Sequence, residues 1–311
     1  MTKKYLFWAV FFVVIMAIGL KTAQHYRENV DEAMVRGHYA FEATRANIQF
    51  MQKAKLTHNG QSFTIYRDGD YWRIKEAAEY FVNTEMLSSF YDMLNNALII
   101  STYNLDEQMS ADLEREGINI KIYSEDNHLI EDVTVSSDVE KDKSRLAYKK
   151  GKGKIYRIGP VKMFSANVQS WVPMPLLAAS ENEIAGITFN ELYLGHDILQ
   201  DAKGKMDFLT QLLSLLQFVG YDGIVKKEEF EKYNPQAQPL KMLIHLNSGL
   251  IYQLNLYAFS DSYWLYVDLA TEKVANKDVP EQIEQLRPYY ADWVFLLSNE
   301  DGKILYSVLT Q

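Results

Sequence analysis

The sequence predicts an α+β fold: two repeated units of antiparallel sheet with packed helices, preceded by one N-terminal transmembrane helix. Three observations carry this expectation. Residues 5–20 form an uncharged apolar run. Beyond them, alternating apolar residues are punctuated by Asn-Gly, Asp-Gly and Asn-Ser-Gly turn signals, and stretches with helical spacing lie between. The same order of elements then restarts after a proline-bearing stretch at 173–182. The expected boundaries are 1–21 for cytoplasmic tip and anchor, 22–47 for a juxtamembrane helical segment, 48–177 for the first α+β unit and 178–311 for the second.

The 311 residues carry 32 Lys and Arg against 41 Asp and Glu, a formal charge of −9. A hydrophobic fraction of 48% excludes wholesale disorder. The absence of cysteine excludes a disulfide scaffold, a thiol nucleophile, thiolate-ligated zinc, iron–sulfur clusters and a lipid-modified cysteine. A net negative chain makes a poor generic nucleic-acid binder.

A helix of the N-terminal run would rise roughly 24 Å, a little less than the hydrocarbon core, and Lys3, Lys4 and Lys21 can snorkel to make up the difference. Tyr5 and Trp8 suit the interfacial belt, and Phe11, Phe12 and Leu20 supply the apolar body. The alternative is a cleaved signal peptide, for which Ala17–Gly19 offers a weak site. As an anchor, the run puts the N-terminus in the cytoplasm and the remainder on the outer side. Residues 209–220 are too short to span and read as a core helix.

Residues 22–44 have helical character, with a weak heptad stripe from Val30 to Met51 that Gly37 interrupts. Strands are expected near 48–57, 62–67 and 71–75, turning at Asn59-Gly60 and Asp68-Gly69-Asp70. A helix capped by Asn83 or Thr84 follows, with Phe90, Met93 and Leu94 on one face. Next come a strand at 98–105, a short helix stopped by Gly117, a hairpin around Asp126-Asn127, and a second hairpin turning at 151–153. Residues 161–171 read as a short helix. In the second half, the expected order is a strand at 183–195, an amphipathic helix at 205–220 and a helical or irregular stretch from Lys226 to Tyr233. A hairpin at Asn247-Ser248-Gly249, a strand at 262–269, a helix entered through Pro280 and a last turn and strand complete it. Corresponding segments of the halves lie near 120 residues apart, which suggests duplication of one unit.

The run at 63–101, with its order of strand, Arg67-x-Gly69-Asp70-x-Trp72-x-Ile74, spacer, helix and strand, resembles the DUF4340 domain of membrane-anchored bacterial envelope proteins. The short helix and strand at 107–126 continue that order, although the turn proline frequent in the family is missing from 113–120. The resemblance spans roughly 48–308. It implies an auxiliary component of an ABC-type envelope transport or gliding system, and it brings no catalytic residues.

The chemistry-bearing residues form no recognisable catalytic or metal spacing. The six histidines include the adjacent pair His196-Asp197, which reads as a polar loop. Paired carboxylates at Glu131-Asp132, Glu228-Glu229 and Glu181 with Glu183 leave open a hydrolase whose acids converge only in three dimensions. The aromatic stretch 257–267 reads as packing on a half-wet sheet, with a peptide or glycan groove as its alternative. One charge feature stands out: Lys141, Lys143, Arg145, Lys149, Lys150, Lys152, Lys154 and Arg157, with Asp142 the lone acid among them. A hairpin carrying them is either a contact for anionic lipid or an acidic partner, or an edge protected from aggregation.

The expectation is therefore a non-catalytic periplasmic binding or scaffolding module in the inner membrane. Its partners would be the membrane and other envelope proteins, including an ABC permease, and not nucleic acid. No catalytic, cofactor-binding or metal-binding residue is assigned, and no cofactor is expected. The alternatives are a periplasmic hydrolase using paired carboxylates and a secreted, signal-cleaved binding protein.

Overall fold

The computed structural model describes residues 35–104, 107–150, 153–173, 177, 179–202, 212, 215, 221–273 and 275–310. The anchor residues Tyr5, Trp8, Phe11, Phe12 and Leu20, the first part of the juxtamembrane segment and Lys152 lie outside the described residues. So does most of the expected helix at 205–220, of which Leu212 and Leu215 are described, both helical and buried. Among the described residues no helix is long and apolar enough to cross a membrane.

The described chain is mixed α/β, with two antiparallel sheets of nine and seven strands and seven α-helices. Strands β1 (Met51–His58), β2 (Gln61–Asp68), β3 (Tyr71–Ile74) and β4 (Tyr80–Phe81) are followed by β5 (Leu98–Asn104), β6 (Ile118–Ser124), β7 (Leu129–Val135), β8 (Arg145–Tyr148) and β9 (Lys154–Gly159). They form a sheet in the order β4-β3-β2-β1-β6-β7-β8-β9-β5. Strands β10 (Ile184–Phe189), β11 (Leu192–Gly195), β12 (Tyr221–Lys226), β13 (Leu240–Leu246), β14 (Leu250–Phe259), β15 (Ser262–Thr271) and β16 (Trp293–Leu297) form the other, in the order β11-β10-β13-β14-β15-β16-β12. The helices are α1 (Glu42–Asn47), α2 (Thr84–Asn96), α3 (Glu107–Glu116), α4 (His196–Ala202), α5 (Lys227–Tyr233), α6 (Val279–Leu286) and α7 (Asn299–Thr310). The chain packs as two compact units: residues 1–62 with 88–166, and residues 63–87 with 167–311.

Both sheets share a wiring plan. An opening strand, β1 or β10, pairs with the first strand of a four-stranded meander, β6–β9 or β13–β16. The last strand of that meander pairs with a strand that precedes it in sequence, β5 or β12. A short helix, α3 or α5, enters each meander. Two irregularities coincide too. Register shifts fall between Met51 and Lys53 in β1 and between Ile184 and Gly186 in β10. They recur between Ile99 and Ser101 in β5 and between Tyr221 and Gly223 in β12. A bulge inserts one unpaired residue and bends its strand; a further shift between Ile122 and Tyr123 of β6 has no counterpart in β13 paired with β14.

Alternation drives the strands inward. Ile118, Ile120 and Ile122 of β6 and Met242, Ile244 and Leu246 of β13 are buried at every second position. Each such side chain contributes about 1.5–3 kcal/mol on burial. Turn chemistry fixes the registers: Asn59, Gly60, Gly69, Asn127, Gly153 and Gly249 all take positive φ, as the sequence expects. Gly37 also has positive φ, and a short helix at α1 stands in place of a long heptad. The backbone at 37–40 instead bonds to β5 through Gly37 N to Ile99 O and Ile99 N to His38 O, covering a sheet edge.

Four expectations are corrected. The segment at 161–171 is helical only as a 3₁₀ turn over Val168–Trp171, because the Asn167 side chain accepts from Gln169 N and starts a new element there. The expected strand at 183–195 is a hairpin, β10–β11, turned by Asn190 and Glu191, both with positive φ although neither is glycine. Strand β12 occupies Tyr221–Lys226, a stretch to which the sequence assigns no element, between the expected helix at 205–220 and the segment from Lys226. The expected final strand is helix α7: Ser298 Oγ accepts from Asp301 N, and Gly302, Leu305, Val308 and Leu309 form its buried stripe. Gly302 permits a close approach, since a Cβ there would fall 2.5 Å from the Cβ of Tyr263 on β15. Gly117 does end α3, but through proximity in place of a left-handed backbone; a Cβ would fall 2.7 Å from Val135 O.

Candidate functional site

The basic residues of 141–157 do not form one exposed tongue. Arg145 is wholly buried. Its Nη2 donates to Phe164 O (3.1 Å) and its guanidinium lies 4.4 Å from the Phe164 ring centre, while Nε and Nη1 have no hydrogen-bond partner among the described residues. Burial lowers its pKa to about 10, with Asp138 opposing. Lys149 pairs with the buried carboxylate of Glu131 at 3.0 Å, which also accepts from Thr44 Oγ1, and it lies over the Phe41 ring. Arg157 bonds Asp142 at 2.6 Å and Ser144 Oγ at 2.9 Å, and the Ser144 hydroxyl holds the Asp142 carboxyl below its ordinary range. Lys154 is half-buried, and Lys141, Lys143 and Lys150 are exposed. Of these cations, Arg145 on β8 points inward, Lys149 just beyond β8 pairs with a buried carboxylate, and Arg157 on β9 is held by Asp142 and Ser144.

Glu131, Asp132 and Glu183 are likewise engaged locally, whereas Glu228 and Glu229 are exposed on α5. Asp132 pairs with Lys121 and accepts from Asn119, and Glu183 accepts from Ser180 N and Oγ, which lowers its pKa. His196 Nδ1 lies 2.9 Å from Ile184 O at the start of α4. The aromatic stretch at 257–267 packs under α5: Phe230 meets the rings of Tyr257 (4.9 Å) and Trp264 (5.7 Å). One constellation has no linear signature. Thr188 Oγ1 lies 2.9 Å from His245 Nε2, and His245 Nδ1 lies 2.8 Å from Glu272 Oε1. An ionised Glu272 can only accept, so Nδ1 donates to it, and in the neutral imidazole Nε2 then accepts from the Thr188 hydroxyl. Tyr193 crosses Gly186 and sets its edge on His245 at 5.5 Å.

A cleft of about 440 Å³ lies within the unit formed by 63–87 and 167–311. Residues around the Asp68-Gly69-Asp70 turn build it. Positive φ at Gly69 lets β3 fold back on β2, pairing Asp68 with Tyr71 and Arg67 with Trp72. Strand β4 pairs Phe81 with Arg73, and Val82 N donates to Trp72 O. Asn83 N donates to Trp171 O, and the Asn83 side chain accepts from Glu85 N (2.9 Å) and Met86 N (3.2 Å), capping α2 at the cleft wall. Phe81 and Val82 are buried, Tyr71 is 47% exposed, and Pro173 and Tyr289 complete the lining.

The cleft is held by the second sheet. Tyr80 Oη donates to Tyr289 O (2.9 Å), Trp293 Nε1 donates to Ala78 O (3.1 Å), and the Tyr80 ring stands edge-on to Trp293 and Phe295. Burial keeps the Tyr80 phenol protonated well above its ordinary range. Phe81 packs against the tilted Tyr289 ring at 4.5 Å and meets the Tyr71 ring edge-on at 5.2 Å. Asp70 and Glu85 stand at the rim, and neither carboxylate has an ion-pair partner among the described residues. Just outside, Arg73 is held between Asp68 (2.6 Å) and the Phe81 ring (4.7 Å). The arrangement can hold a ligand by its faces and its charge. The signal that sequence reasoning passed over is the triplet Asp70-Tyr71-Trp72, an acid beside two exposed-strand aromatics.

The chain matches no family model, no curated protein and no solved structure among those with which it was compared.

Proposed function

We propose that this chain is a non-catalytic binding or scaffolding module, tethered by its N-terminal apolar helix in a bacterial inner membrane with its main body on the periplasmic side. It serves an ABC-type envelope transport system as an accessory component, in keeping with the DUF4340-like order at 63–126. The body is a duplication of one α+β unit; the shared core strand order and two coincident bulges of the two sheets support this beyond the weak sequence likeness. The observation that carries the functional reading is the aromatic cleft with its unpaired rim carboxylates, a surface suited to holding a partner segment. The exposed Lys141, Lys143 and Lys150 add a second, weaker contact for acidic partners or headgroups.

The test is in-cell photo-crosslinking from Tyr71, with the full chain in its own membrane. Transfer of the label to an envelope protein supports the module; labelling confined to lipid or water opposes it. Mass spectrometry of the mature N-terminus checks the tether, since loss of residues 1–19 would indicate secretion. A second reading, a hydrolase, is favoured by the relay from Thr188 through His245 to Glu272, a hydroxyl, base and acid in hydrogen-bonded series. Turnover of a p-nitrophenyl ester that disappears in His245→Ala would replace the binding reading.

A further inference from the structure

Resting on the assignment of the cleft as the binding site, we infer that its ligand is an extended peptide segment carrying a lysine or arginine flanked by proline or other flat apolar residues. Three observations converge. The lining includes Tyr71, Trp72, Tyr289 and Pro173, rigid groups against which a flat, pre-extended chain packs at low entropic cost. The rim carries two carboxylates, Asp70 and Glu85, that no cation of the described chain neutralises. The chain also contains a working copy of the required contact, for Arg73 lies between the Asp68 carboxylate and the face of Phe81 a few residues away. A ligand cation between Asp70 or Glu85 and Tyr71 would repeat that arrangement on the open side.

The polarity of the cleft excludes the opposite choice. The start of α2 could in principle serve an anion, but the amides of Glu85 and Met86 are already taken by the Asn83 side chain, and Glu85 itself adds negative charge. A glycan would also stack on Tyr71 and Trp72, yet it would leave both carboxylates without a counter-charge.

The experiment is isothermal titration of the full chain in detergent with three probes: acetyl-Pro-Pro-Arg-Pro-Pro-amide, the same peptide with Gln for Arg, and chitotetraose. Variants are the Asp70→Asn, Glu85→Gln pair, Tyr71→Ala, and Asp112→Asn on α3, which does not line the cleft, as a control. The expected result is saturable binding of the arginine peptide, weakened about tenfold by the Gln replacement and by the double neutralisation. Tyr71→Ala weakens it further, and Asp112→Asn leaves it unchanged. Added salt should weaken the wild type more than the neutralised double variant. Circular dichroism of each variant separates lost binding from lost folding, and these side chains are exposed or at a rim. Equal binding of both peptides would overturn the cationic requirement while leaving the cleft a binding site. Binding of chitotetraose alone, abolished by Tyr71→Ala, would overturn the peptide and keep the cleft. Saturation by none of the three up to millimolar concentration would overturn the inference, while crosslinking from Tyr71 would still report separately on the binding module.

Discussion

The two sheets share a core strand order and two bulge positions yet are stabilised by different chemistry. Around β5–β9 the buried polar side chains are numerous: Thr44, Ser89, Glu131, Thr134, Ser144 and Arg145. In the other sheet's unit Asn255 alone is of that kind among the described residues, and the interior is built from Tyr252, Phe295, Trp293 and their aliphatic neighbours. The comparison teaches that the wiring depends on alternation and bulge position, which both halves keep. What fills the interior is free to diverge, one half towards paired charge and the other towards rings.

The contrast can be broken by mutation, and the largest effect is expected in the apolar half. Phe295 is fully buried against Tyr80 and Tyr221, so Phe295→Ala should cost about 3–5 kcal/mol in urea unfolding. A cost below about 1 kcal/mol would deny that rings carry this sheet. In the charged half, Glu131→Ala strands Lys149 beside the Phe41 ring; the expected loss is about 2–4 kcal/mol, discounted because Lys149 is 21% exposed. Adding Lys149→Met should recover most of it, which a double-mutant cycle would read directly.

Arg145 should behave in the opposite sense. Its guanidinium is buried with two nitrogens unpaired among the described residues, so Arg145→Met should raise stability by about 1–3 kcal/mol. A loss instead would reveal a partner for those nitrogens. A smaller test uses pH. The folded chain keeps the Tyr80 proton at pH values where the unfolded phenol, with its ordinary pKa of 10.0, releases it. That contribution is intact below pH 10.0 and fades as pH rises beyond it. Tyr80→Phe should therefore flatten the alkaline limb of an unfolding curve, at about 1 kcal/mol lost near neutrality with the Tyr289 hydrogen bond. The smallest effect is at the cap: Asn83→Ala should cost about 1 kcal/mol by thermal melting and loosen the cleft wall.

Much of the strand pattern is legible in the sequence because its turns announce themselves. Asn59-Gly60, Asp68-Gly69 and Ser248-Gly249 each sit between alternating runs, and each closes the hairpin expected of it. The hairpin at Asn190-Glu191 escapes notice because nothing marks Glu191 for positive φ; its turn is held by Asn190 Nδ2 donating to Leu309 O, 119 positions away. Helix α7 hides for a related reason: Ile304, Tyr306 and Val308 alternate plausibly as a strand, and the Ser298 cap is the clearest local signal against it. The basic run at 141–157 reads as a surface because charge reads that way, and only the pairing of β8 with β9 shows that Arg145 points inward. The cleft and the Thr188, His245 and Glu272 relay draw on residues far apart in the chain, so no spacing rule could assemble them.

Gly302 limits how this chain could be hardened. A helical glycine is the first position an engineer or a consensus design would replace with alanine, to gain about 1 kcal/mol of helix propensity. Here the missing methyl group is the room in which the Tyr263 ring rests. The substitution would lever the carboxyl-terminal helix off its sheet, so a change that strengthens the helix in isolation would weaken the protein, unless Tyr263 were trimmed with it.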